Sequence, residues 1–556
     1  MEAKGISVAE FSLSEPRHKT RPQIGSVTLS VLVALYLLFA TNQTFWMKSA
    51  KYFALDLFAL AALIIGLSAG FIALFTPLSQ KFIAKPVFIF CILAAAAASW
   101  FIDRFGIVID AEMIRNAVQT TPTEAGHLIT PGFLWHMLIV GVVPALLVGW
   151  VEIRHRPFWS KAAHNLAVVL PCLIVFALAG YSHFKTFAGI FRQHRELAQM
   201  INPILPIGNA IKYAVRTTEE QNIVTRQLGT DAHRLTPVGR IAKPRVTIVV
   251  VGETARAANF SLGGYARATN PELSKLDVVY FPNTTSCGTA TAVSVPCMFS
   301  VYPRQAYTHR KGLETENLTD VLAHAGINVS WWDNNTGSKQ VADRIATVSL
   351  SDSGDTRFCT GDECRDGILL DRLDAWLDSV KQDSVLILHQ IGSHGPAYYA
   401  RYPEKFRVFA PDCRTGELSE CSSEEIVNAY DNTILFTDHV LAGIIGKLED
   451  RSDKMAGAMF YMSDHGESLG ENGLYLHGAP YFIAPDVQTH VPFIVWMGKD
   501  FTASMGLDTA CLAETANAPR SHDNLFHSVL GMMNVATSVY DPSLDVFAPC
   551  RSNRAS

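Results

Sequence analysis

The chain has 556 residues, of which 49% are hydrophobic and only 17% charged, and its mean hydropathy is positive. An ordinary soluble enzyme of this length carries more charge, so part of the chain must suit an apolar environment, and several domains are expected. The formal net charge is −5, and no nucleic acid partner is expected.

The apolar excess lies almost entirely before residue 186, in stretches close to the roughly 20 residues a helix needs to cross a bilayer. Five spans are predicted, at about 25–45, 54–75, 86–102, 133–151 and 165–184. The third is short, but it carries no charge until Asp103. A cleaved signal peptide is the alternative for the first span, yet no small-x-small cleavage site follows it and further spans do. Arg17, Lys19 and Arg21 precede span one, Lys81 and Lys85 separate spans two and three, and Arg154, Arg156 and Lys161 separate spans four and five. Lys and Arg stay on the cytoplasmic side, so these clusters place the N-terminus inside and everything after about residue 186 outside. The expected organisation is a cytoplasmic tail over 1–24, a five-span membrane domain over 25–185, bridging interfacial helices over 186–243 and an exported domain over 244–556.

Between spans three and four the segment DAEMIRNAVQTTPTEAGH faces outward by this topology. Asn116, Thr120 and Glu124 are four apart, but Pro122 interrupts a continuous helix, so spacing alone does not put them on one face. Thr121-Pro122-Thr123-Glu124 also reads as a capping box with proline at the first helical position. From 186 to 243 a mixed polar and apolar helical pattern, broken at Asn202-Pro203, suits helices resting on a membrane surface or a solvated linker.

Eight of the ten cysteines lie in the exported part, as an oxidising compartment favours. Eight allow 105 connectivities. Close spacing favours 287–297, 359–364 and 413–421, which leaves 511–550 as a long-range candidate. No CxxC pair supports metal binding by cysteine instead.

After Lys243-Pro244 apolar strands alternate with helical stretches: RVTIVVVGE, NVSWWD, SVLILHQIG, MFYMSDHGE and HVPFIVWMG. Runs apolar on both faces suit a mostly parallel sheet sandwiched by helices, with ligands at the carboxyl ends of its strands. Glu253, His394, Asp464, His465 and His477 sit at or just after such ends. Each alone is more often a solvated loop residue or a cap. Together they suit a metal held by carboxylate and imidazole, with zinc a natural occupant. Within SCGTATAVSVPC, the run TATAVSV can open a short helix that stops at Pro296, and helix N-terminal amides face bound phosphate. Thr289 is either a nucleophile activated by a metal or base, or an N-cap contributing about 1 kcal/mol.

The set VGETAR, SCGTATAVSVPCMFS, DNNTGSK, SHGP, SDHGESLGENGLYLHG and SHDNLFHSVLG resembles the lipid A phosphoethanolamine transferases, membrane enzymes behind polymyxin resistance. The resemblance implies a five-helix membrane domain carrying a periplasmic α/β domain of alkaline phosphatase and sulfatase type, in the bacterial inner membrane. It implies zinc bound by Glu253, Thr289, Asp464 and His465, with Thr289 as the transiently modified nucleophile. Lys339, Thr336, His394 and His477 match positions that contact the substrate phosphate or complete the site, and Asn116, Thr120 and Glu124 match the phosphoethanolamine pocket. Phosphatidylethanolamine would be the donor, lipid A the acceptor, and a monomer is expected. Ser338 and Ala342 stand where many members have cysteines flanking the lysine, so one disulfide is missing beside Lys339. Rival readings are a related transferase with another envelope acceptor, or an inactive lipid-binding sensor. A sulfatase would need C/S-x-P-x-R, and Ser294-Val295-Pro296-Cys297-Met298 has methionine in place of arginine.

Overall fold

A computed structural model describes residues 21–220, 223–236 and 243–552, with Glu124 described by its backbone alone. Most of the tail expected over 1–24, including Arg17 and Lys19, lies outside the described residues.

Among the described residues, four helices are long and apolar enough to cross a membrane: Leu57–Phe75, Ala84–Phe105, the composite Pro131–Trp150 and Phe158–Ser182. The first expected span is instead a pair, Ser26–Ala40 and Gln43–Tyr52, bent by 65°. Leu55, Phe58, Phe82, Trp159 and Tyr181 are each more than two thirds exposed, which suits a lipid solvent. The basic flanks gather at one end: strand Gln23–Gly25 pairs with Glu152–Arg154, Lys85 donates to the Gly149 carbonyl and Lys161 to that of Ser79. The bridging segment forms helices Phe184–Gln193, Arg195–Gln199 and Ile204–Glu220, but the helices expected up to residue 243 stop there: Arg226 bridges to Thr315 and His233–Arg234 pairs as a strand with Val535–Ala536.

Among the described residues, the C-terminal half is built around an eight-stranded sheet: β1 Arg245–Gly252, β2 Val278–Thr285, β3 Asn328–Asp333, β4 Ala346–Ser349, β5 Ser384–His389, β6 Ala456–Ser463, β7 His490–Met497 and β8 Arg520–Ser521. Their order across the sheet is β8-β2-β7-β6-β1-β5-β3-β4. β7 runs antiparallel to both neighbours and all the other pairings are parallel. All five strands expected from the sequence form. β2 reads weakly because its burial is mixed and Pro282 interrupts it, whereas every residue of β1, β5 and β6 is buried.

Strand alternation feeds two cores. Val246, Ile248 and Val250 face the helices Gly367–Ser379 and Ser423–Glu449, while Val249 and Val251 face Leu318–His324 and Asp523–Met532. Each such aliphatic side chain contributes about 1.5–3 kcal/mol by leaving water. The disulfides 287–297, 359–364, 413–421 and 511–550 all form. Cys91 and Cys172 are free and lie in membrane helices.

The two halves dock closely around the segment between spans three and four. Gly478, at φ +83, leaves room for Met113, whose Cε lies 2.5 Å from where a Cβ would stand. Arg115 pairs with Glu220 at 3.3 Å, and Asn209 donates to the Ile109 carbonyl at 2.9 Å.

Candidate active site and metal centre

The central strands deliver their polar ends to one place. Glu253 follows β1, and Asp464 and His465 follow β6, which pairs with β1 in parallel register up to Ser463 and Gly252. All three are essentially fully buried, and their ligand atoms lie within 4.8 Å of one another. His465 Nε2 is 3.4 Å from both Glu253 Oε1 and Asp464 Oδ2. Its Nδ1 is 2.9 Å from the Gly466 carbonyl, to which it donates, so Nε2 is the nitrogen turned to the carboxylates.

Local structure explains the convergence. Thr254 has φ +59, a conformation few non-glycine residues hold, and its amide donates to Asp464 Oδ1 at 3.1 Å while its hydroxyl donates to Glu253 Oε1. Gly392 allows the loop after β5 to press on this turn, since a Cβ there would meet the Glu253 carbonyl oxygen at 2.5 Å. Buried Asp366 accepts from the amides of Ile391 and Gly392 and so fixes that loop.

The electrostatics call for a cation. Burial pushes the Asp464 carboxyl up to about 6, reinforced by neighbouring Glu253. Burial opposes charge on His465, but Asp464 and Glu253 outweigh it and raise the imidazole to about 10. Burial likewise opposes charge on Glu253, yet His465 holds its carboxyl well below the usual range. Asp464 Oδ2 is buried and, beyond the 3.4 Å approach of His465 Nε2, has no hydrogen-bond partner among the described residues, a costly state for a carboxylate oxygen. Two carboxylates, one imidazole and an orphaned oxygen fit a divalent metal of the zinc type.

The hydroxyl that reaches this triad belongs to Thr291, not to Thr289. Thr291 Oγ1 lies 3.0 Å from Glu253 Oε2 and 3.4 Å from His465 Nε2. Thr289 donates its hydroxyl to the Ala479 carbonyl at 2.6 Å, and its own carbonyl accepts from the Gly478 amide. The helix opens at Thr291, with Ala290 at the cap, and continues through Pro296 to Met298. Proline at its sixth residue faces Ala292, whose carbonyl is simply left without that donor, so the expected stop at Pro296 does not occur. The shift from Thr289 to Thr291 goes with this start: the hydroxyl of the first helical residue meets Glu253 at the end of β1.

The remaining candidates divide into two groups. His394 and His477 meet edge to face with ring centroids 5.2 Å apart, and His477 lies 4.5 Å from the His465 ring. Both line an apolar pocket with Asn116 and Thr120 from the membrane side, in a volume of about 190 Å³. Glu124 lies on the helix Pro122–Leu128, which starts at proline as expected, but its side chain is outside the described residues. Lys339, at φ +51, donates through Nζ to the Thr336 carbonyl and lines a separate groove with Pro296 and Ser300. Beside Lys339, Ser338 Oγ accepts from the Ala342 amide at 3.2 Å and Asn317 holds the Val341 carbonyl.

Three further residues join the site. Asn335, inside the DNNTGSK motif, donates to Glu253 Oε2 at 2.8 Å. Buried His389 pairs with Asp333 at 3.0 Å behind it. Glu467, in SDHGE, lies 2.9 Å from His477 Nδ1 and accepts from Tyr398 at 2.6 Å, so it sets the histidine tautomer. Asn335 and Glu467 lie within the quoted motifs and His389 at the end of the strand Ser384–His389, but their roles depend on loop geometry.

Two family models match the chain: a sulfatase model over residues 245–535 and a phosphoethanolamine transferase EptA/EptB model over residues 67–218. The phosphoethanolamine transferase EptA of Salmonella typhimurium is 39% identical over 96% of this chain and 99% of its own length. The phosphatidylethanolamine transferase Mcr-1 from Escherichia coli is 37% identical over 86% of this chain and 91% of its own length. Among solved structures, the integral membrane lipooligosaccharide phosphoethanolamine transferase A of Neisseria meningitidis matches with a TM-score of 0.92 at 35% identity, over 96% of this chain and all of that one.

Proposed function

The chain belongs to the phosphoethanolamine transferase family, and we propose that it moves phosphoethanolamine from phosphatidylethanolamine to a lipid A phosphate through a covalent intermediate on Thr291. The observation that carries this reading is the meeting of the Thr291 hydroxyl with Glu253 and His465 beside a pocket walled by Asn116, Thr120, His394 and His477. The pocket is apolar, as a lipid donor requires, and both halves of the chain build it.

Glu253, Asp464, His465 and Thr291 would hold zinc, with Asp464 Oδ2 supplying an otherwise uncommitted donor. When bound, zinc favours the deprotonated threonine and offsets charge on phosphate oxygens. Glu253 holds the Thr291 hydroxyl in place, and the start of the helix Thr291–Met298 would offer its N-terminal amides to a phosphate bound at this hydroxyl. The Thr291 hydroxyl gives up its proton to solvent as its oxygen bonds to phosphorus and the bond to the diacylglycerol oxygen breaks, and His394 or His477 supplies that oxygen with a proton. A lipid A phosphate oxygen then attacks the same phosphorus, and Thr291 leaves as the hydroxyl once a proton returns. No nucleotide is consumed. Added ethanolamine reduces the negative charge that polymyxins bind.

In the proposed arrangement the bent pair Ser26–Tyr52 counts as the fifth span, the basic ends face the cytoplasm, helices 186–220 rest at the interface and the domain from 244 is periplasmic. The protein acts as a monomer. Mass spectrometry of lipid A from cells with and without the protein tests the reading. A mass gain of one phosphoethanolamine is expected, and a gain confined to another envelope phosphate would move the acceptor elsewhere.

A further inference from the structure

His394 is held from behind by a buried arginine. Arg401 is 3% exposed, and its Nε donates to the His394 carbonyl at 2.8 Å. Its two terminal nitrogens grip Glu363, Nη1 to Oε2 at 2.8 Å and Nη2 to Oε1 at 3.2 Å, the two-pronged geometry that fixes a guanidinium in direction as well as place. Glu363 Oε2 is also 3.2 Å from His127 Nε2. His127 belongs to the helix Pro122–Leu128 of the membrane-side segment, so four residues in series join that segment to the pocket histidine.

The surroundings make this chain stiff. Glu363 sits in a two-strand hairpin, Cys359–Thr360 with Glu363–Cys364, closed by the Cys359–Cys364 disulfide. Gly361, at φ +64, leaves space for Thr123 of the membrane-side helix, whose Oγ1 lies 3.0 Å from where a Cβ would stand. Gly416 does the same for the His127 carbonyl. Burial alone would raise the Glu363 carboxyl, but His127 and Arg401 bring it down to about 2, so the carboxylate stays ionised and the grip persists. On the other side Asp366 binds the amides of Ile391 and Gly392. The loop carrying His394 is therefore clamped between Asp366 in front and Arg401 behind.

We propose that Arg401 is a positioning residue for His394 and that Glu363 and His127 set Arg401, so that docking of the membrane-side helix fixes the placement of the pocket histidine. This rests on the role given to His394 under the proposed function. The chain touches neither phosphorus nor threonine, so it acts on turnover through His394 alone.

A double-mutant cycle on the full-length protein, following diacylglycerol release from phosphatidylethanolamine in detergent micelles, tests it. Arg401→Gln should lower kcat roughly tenfold or more with KM for the donor little changed, and His127→Ala should do the same to a smaller extent. In a His394→Ala background neither substitution should lower kcat further. Loss by the same factor in both backgrounds, or full kcat in Arg401→Gln and His127→Ala, overturns the proposal. If Arg401→Gln does not accumulate as folded protein, the His127→Ala pair decides, because that side chain is partly exposed and lies outside the catalytic core. Wild-type turnover in His394→Ala would instead remove the role of the histidine itself, and the inference would fall with it.

Discussion

Thr291 and Glu253 meet at 3.0 Å, hydroxyl to carboxylate, in the buried seam between the first strand of the sheet and the helix that follows the second. Two residues earlier, Thr289 bonds to the Ala479 carbonyl instead. The two threonines therefore respond oppositely to substitution. Thr291→Ala should abolish lipid A modification, and the phosphoethanolamine adduct should be found on the Thr291 peptide. Thr289→Ala removes one neutral hydrogen bond, worth about 1 kcal/mol of stability, and should leave most of the activity. An adduct on Thr289, or an active Thr291→Ala protein, would refute the assignment.

The metal centre predicts coupled losses. A ligand that binds only the folded protein stabilises it by about 2.7 kcal/mol at a hundred times its dissociation constant. Chelation should thus lower the melting temperature of the wild-type protein. Asp464→Ala should carry little zinc when purified, and its melting temperature should not respond to chelator. Zinc content equal to wild type would take Asp464 out of the ligand set.

The division between what the sequence reveals and what it conceals follows from chemistry. β1, β5 and β6 are legible because burial on both faces demands unbroken apolar runs. Glu253, Asp464 and His465 are legible only as a set: each alone is more often a loop residue or a cap, and it is their joint placement at strand ends that suits a metal. The choice between Thr289 and Thr291 is not, since both sit in one run of small residues and the helix start is set by the Gly288 amide bonding to Ser294 and by the 287–297 disulfide. The bend after Ala40 is hidden for a different reason: Asn42 and Asn202 hydrogen-bond across 160 residues, and hydropathy registers only the apolar stretch.

Away from the site, Asp438 should give a readable pH effect. On the helix Ser423–Glu449 it accepts from the amides of Glu272 and Leu273, and burial pushes its carboxyl up to about 7. In the unfolded chain it ionises near pH 4. Between these values the folded state holds a proton that the unfolded state has released, so this residue's contribution to stability falls as pH rises through that window. Asp438→Asn cannot ionise. The difference in melting temperature between pH 5 and pH 7.5 should therefore be shifted in the variant toward greater relative stability at the higher pH. An identical pH dependence in the two proteins would show that Asp438 is ionised throughout.

Glu124 separates substrate binding from helix capping. It follows Pro122 in the helix Pro122–Leu128, next to the segment whose Asn116 and Thr120 share the apolar pocket with His394 and His477. An ammonium group in such a pocket needs a carboxylate, and a charge-assisted contact there contributes on the order of 1.5–3 kcal/mol. Glu124→Gln should then reduce turnover by roughly one to two orders of magnitude. A residue that only caps the helix behaves otherwise, because glutamine serves a capping box nearly as well as glutamate. The measurement is lipid A modification by Glu124→Gln beside Glu124→Ala, with membrane insertion and protein level matched to wild type. Loss in both variants assigns the ammonium contact to Glu124, whereas near-normal activity in Glu124→Gln with an impaired Glu124→Ala leaves it as a cap.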